Sequence, residues 1–94
     1  MTPRPHFQQT SAESLRAFAA RRREAADLFG ADACEHRRLS AAFSAEGKDR
    51  NAQMQLQLAK VKERSQRAAI DAAEKAEARA LELEGTSEAK EMVQ

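Results

Sequence analysis

Ninety-four residues, a third of them charged, with four Phe, no Trp, no Tyr and a net charge of +1, bound the protein to one domain with a thin core. A single cysteine, Cys34, excludes an intramolecular disulfide framework and fits a reducing compartment. No apolar run approaches the ~20 residues of a membrane span, and Met1–Pro5 is not followed by the apolar stretch of a signal peptide, so the sequence reads as cytoplasmic.

Charge is unevenly distributed. Residues 39–67 carry six basic and three acidic side chains, and 68–94 carry three basic and seven acidic. Neither run is long enough to form a polybasic or acidic tail.

Residues 1–9, with Pro3 and Pro5, read as an extended arm. Thr10 with Glu13 matches a capping box, and Ser11 is an alternative cap, so a helix is expected over about 11–29. Its apolar positions Leu15, Phe18, Ala25, Ala26 and Phe29 fall on one face, and Gly30 ends it. Asp32 and Glu35 form a second capping pair that opens a helix over about 33–45, with Leu39 and Phe43 four apart, ended by Gly47.

The third helix, about 49–84, contains no Gly or Pro and is dominated by strong helix formers. Asp49 is placed to cap its start, and Gly85 to end it in a left-handed conformation. At 1.5 Å per residue it would be on the order of 50 Å long. One stripe on it carries Met54, Leu58, Val61, Ser65, Ala68, Ala69, Ala72, Ala76, Ala80 and Leu83. Residues 86–94 read as a flexible tail, leaving 10–85 as a single helical domain.

These elements predict an all-α fold. The expected architecture is a long antiparallel helical hairpin whose N-terminal arm is broken near Gly30, three helices in all. Paired residue numbers would add to about 97, setting large side chains against small ones and Arg21–Arg23 beside Glu74 and Glu77. The competing arrangement folds the first helix back at Gly30 into a small three-helix bundle with a protruding third helix.

No phosphate loop, nucleophile elbow or zinc-protease motif is present, and carboxylates on a solvated helix lack the pocket that would separate their pKa values. The chain therefore reads as non-enzymatic, with no cofactor. Cys34 and His36, two apart on a helix, point away from each other, so no metal site is expected.

A degenerate helix-turn-helix around residues 26–39, with Ala26, Gly30 and Leu39 at the motif's spacing, would place Arg37 and Arg38 on a recognition helix. Arg21, Arg22 and Arg23 would add phosphate contacts. Against it, His36 occupies the place of a buried aliphatic residue and the net charge is close to neutral.

The leading expectation is a helical protein–protein interaction module, either an assembly or adaptor subunit or a small inhibitor of phage or mobile-element type that occludes a surface. Its partner would be another protein or a second copy of itself. The candidate interface comprises Leu56, Ala68, Ala69, Ile70, Ala72, Ala76, Ala80 and Leu81. A DNA-binding regulator is the first alternative. A homo-oligomeric coiled coil is the second, opposed by Gln57 and Arg64, which interrupt a strict seam.

Overall fold

The computed structural model describes the backbone of residues 11–93 and the side chains of residues 11–85. It contains two helices, α1 (Ala12–Ala45, 34 residues) and α2 (Asp49–Val93, 45 residues), packed against each other as a hairpin. The expected extended arm lies outside the described residues. With a radius of gyration of 20.7 Å, against about 12 Å for a compact chain of this length, the molecule is a rod rather than a globule.

Each end of α1 is closed by local hydrogen bonding. Ser11 is its N-cap: the Ser14 amide donates to Ser11 Oγ at 3.0 Å, and the Ser11 amide donates to Ser14 Oγ at 3.2 Å. At the other end the Gly47 amide donates to the Ser44 carbonyl and the Lys48 amide to the Phe43 carbonyl, the paired bonds of a Schellman motif. Gly47 sits at φ +77°, which a residue without Cβ adopts at little cost. The chain reverses here, and Lys48 Nζ lies 5.9 Å from the centre of the Phe43 ring. Asp49 begins α2 and puts its carboxylate in the first turn, where the helix dipole favours it.

Two expected helix ends are absent. Gly30 lies inside α1, so the predicted second and third helix boundaries on this arm vanish and the count is two helices, not three. Asp32 and Glu35 cap nothing; Asp32 pairs with Lys62, and Glu35 with Arg38. Tertiary packing explains the difference. A Cβ at Gly30 would come within 2.5 Å of Gln66 Nε2, so the glycine makes room for a side chain of α2 rather than ending a helix. Gly85 is likewise internal, with α2 continuing to Val93. One glycine costs a helix only about 1 kcal/mol, and the neighbouring helix formers carry the backbone across it.

The seam is built from alanine. On α1 the buried residues are Ala19, Ala26 and Ala33, seven apart; on α2 they are Ala52, Ala59, Ala73 and Ala80, the same repeat, with Ala69 and Ala76 beside them. Gln66 fills the missing place in the α2 series, level with Gly30. A second row on α1, also seven apart, is half-buried: Leu15, Arg22, Phe29, His36 and Phe43. This seven-residue recurrence on both arms is the pattern of an antiparallel coiled coil. Gln57 and Arg64, expected to interrupt such a seam, are exposed and lie off it. No side chain larger than alanine is buried among the described residues.

Candidate functional site

The alanine seam leaves two unlike flanks. On one, Arg16 pairs with Glu84, Arg23 with Glu77 and Arg37 with Glu63, the last two through paired bonds of 2.6–2.9 Å. The paired numbers add to 100 in all three, so these pairs mark one register along the whole hairpin. The ladder skips the level of Gly30 and Ile70, where neither arm supplies a charge. Hydrogen bonds donated by the arginines hold the Glu63, Glu77 and Glu84 carboxyls below the usual range, and the same contacts raise the three guanidiniums. All are well exposed, so they fix register more than they stabilise.

Polar layers interrupt the seam as well. His36 Nδ1 lies 2.7 Å from Gln55 Oε1, to which it donates, and Ser40 Oγ donates to the Ala52 carbonyl at 2.8 Å. Lys62 reaches Asp32 at 3.5 Å while its ammonium sits 5.7 Å from the centre of the Phe29 ring. These contacts tie the two arms together near the turn.

The other flank is apolar. Met54, Leu58, Val61, Ser65, Ala68 and Ala72 recur every three or four residues, so they form one stripe along α2 separate from its seam. Met54 is 59% exposed, Val61 47% and Leu58 40%. Phe18 and Leu28 of α1, at 40% and 69%, add large apolar side chains to the exposed surface. Among the described residues only alanine is fully buried, and Met54, Leu58, Val61, Phe18 and Leu28 are left largely in water.

The sequence-derived interface candidates fall into different places. Ala69, Ala76 and Ala80 are buried against α1, and Leu56 and Ile70 are half-buried on the ion-pair side. Ala68 is exposed and Ala72 half-buried on the apolar stripe, and Leu81 is exposed at 65%. The single stripe expected on the third helix is thus two stripes of different fate. Met54, Leu58 and Val61 lie outside and Leu83 is half-buried, whereas Ala52, Ala59 and Ala73, none of them on the expected stripe, lie inside. The repeat of alanine at 52, 59, 73 and 80 was the available signal.

The arginines are dispersed too. Arg21 is exposed, Arg22 half-buried, Arg23 and Arg37 belong to the ion-pair ladder, and Arg38 bonds Glu35 on its own helix. Residues 26–39 form continuous helix, so the turn on which a helix-turn-helix depends is not formed. Cys34 is exposed, and no cluster of three or more metal-ligating side chains occurs among the described residues. No helix among the described residues is long and apolar enough to cross a membrane. Comparison with protein-family models, with characterised proteins and with solved structures yields no match.

Proposed function

We propose that the protein is a non-enzymatic helical interaction module whose working surface is the apolar flank centred on Met54, Leu58 and Val61. One observation carries the reading: among the described residues nine alanines are the whole buried core, while Met54, Leu58 and Val61 stay exposed at helical spacing on one stripe of α2. Burying a large aliphatic side chain releases about 1.5–3 kcal/mol, so a partner covering this flank would gain more per residue than the hairpin gains from each alanine methyl. Isolated exposed apolar residues are ordinary; a run of them at helical spacing, across the seam from an ion-paired flank, is the surface of a helix lacking a neighbour. Within this reading the chain acts as an assembly or adaptor subunit, or as an inhibitor that occludes a larger protein's surface.

The test is affinity capture with the tagged chain, with and without nuclease, comparing wild type with Leu58→Glu/Val61→Glu. The expected result is a stoichiometric protein partner that survives nuclease and is lost with the double variant, while helix content by circular dichroism is unchanged. Loss of all partners on nuclease treatment, with nucleic acid recovered and binding weakened by Arg37→Ala/Arg38→Ala, would overturn it in favour of a DNA-binding role.

A further inference from the structure

We infer that the apolar flank docks a second copy of this chain, antiparallel to the first, to form a symmetric four-helix assembly. The inference rests on the proposed role as an interaction module and names its partner.

The argument is self-complementarity along α2. The stripe is large at one end (Met54, Leu58, Val61) and small at the other (Ser65, Ala68, Ala72), and the two halves are mirror-spaced. Laid antiparallel on itself, the stripe sets Met54 against the partner's Ala72, Leu58 against the partner's Ala68 and Val61 against the partner's Ser65. Under a twofold axis every such contact occurs twice, as an isologous interface requires. Knobs on each copy meet recesses on the other, and Phe18, on the α1 segment that packs beside Ala73 and Ala76, comes to the level of the partner's Met54. A parallel arrangement would set Met54 and Leu58 on themselves and leave the alanine half facing alanine.

The experiment is sedimentation and light scattering of the full chain across a concentration series. A mass of twice 10.4 kDa, falling toward the monomer on dilution, is expected. Ala68→Lys alters an exposed site with a good helix former, so helix content should persist while dissociation becomes at least about tenfold easier, because a charge is buried without a partner. Orientation is read in a Cys34→Ala background by mixing Met54→Cys with Ala72→Cys chains under mild oxidation. The mixed disulfide should dominate, and a dominant Met54→Cys homodimer would overturn the antiparallel geometry.

A mass of 10.4 kDa at all concentrations would overturn the inference. If that monomer still captured a different protein in a manner abolished by Leu58→Glu/Val61→Glu, the interaction-module reading would stand without it. If it captured none, both would fall.

Discussion

At Gly47 the backbone sits at φ +77° and a Cβ would meet nothing within 4 Å, so replacement by alanine is opposed by the backbone alone. Gly47→Ala should destabilise the hairpin by about 1–2 kcal/mol, the cost of a left-handed conformation with a Cβ. Gly30 is the converse case. Its backbone is helical, and the atom a Cβ would strike is the end of the flexible Gln66 side chain, which can swing aside. Gly30→Ala should therefore raise stability, by up to about 1 kcal/mol of helix propensity. Thermal unfolding of the two variants checks both signs. A destabilised Gly30→Ala would show that the seat of Gln66 matters more than the helix it interrupts.

At the scale of the helices, spacing between the arms is set by alanine. Ala73 is fully buried, and Ala73→Leu should cost about 1–3 kcal/mol by forcing the arms apart. Leu81→Ala, at an exposed site, should change stability by less than about 0.5 kcal/mol.

The ion-pair ladder makes a separate prediction. Folding lowers the pKa of Glu35, Glu63, Glu77 and Glu84 through hydrogen bonds from Arg38, Arg37, Arg23 and Arg16. Their stabilisation is then complete above the unfolded glutamate value of about 4.3 and is lost as pH falls through the lowered folded values. Tm should be level from neutrality to about pH 5 and drop below about pH 4.3, with a shallower drop in Glu63→Gln/Glu77→Gln/Glu84→Gln. An equal acid slope in that triple variant would remove the ladder from the explanation.

This is also the scale at which sequence and structure part. Helix content, the reversal at Gly47 and the antiparallel register are visible locally, because strong helix formers, one left-handed glycine and matched arm lengths suffice. The break at Gly30 is not there, because a glycine followed by Asp32 and Glu35 imitates a helix end, and only the position of Gln66 on the other arm says otherwise. The seam between the arms is partly legible. Hydrophobicity alone assigns Leu58 and Val61 to the seam, whereas the repeat of alanine every seventh residue on both arms gives the seam to the smaller side chain and turns the larger ones outward.

For the whole molecule, the repeat creates an ambiguity that the turn resolves. Because both arms repeat every seven residues, sliding one arm by seven keeps much of the alanine seam matched, at the expense of the seat of Gln66 and of part of the arginine–glutamate ladder. The Schellman turn at Gly47 and the match of Gly30 to Gln66 select one register among these. Deletions in α1 separate phase from register. Removing residues 17–23 preserves the phase: Arg16 takes the place of Arg23 opposite Glu77, and Ala12 takes that of Ala19. Removing only 17–20 carries Leu15 into the place of Ala19 against Ala73 and turns Ala12 off the seam. Hydrogen exchange on α2 should then show protection reaching through Ala73 and Ala76 in the seven-residue deletion and ending before them in the four-residue one. The shorter deletion should thus do the greater damage. Equal protection in both would mean that the seven-residue spacing does not control the packing of the arms, and the alanine seam would lose its place as the organising element of the fold.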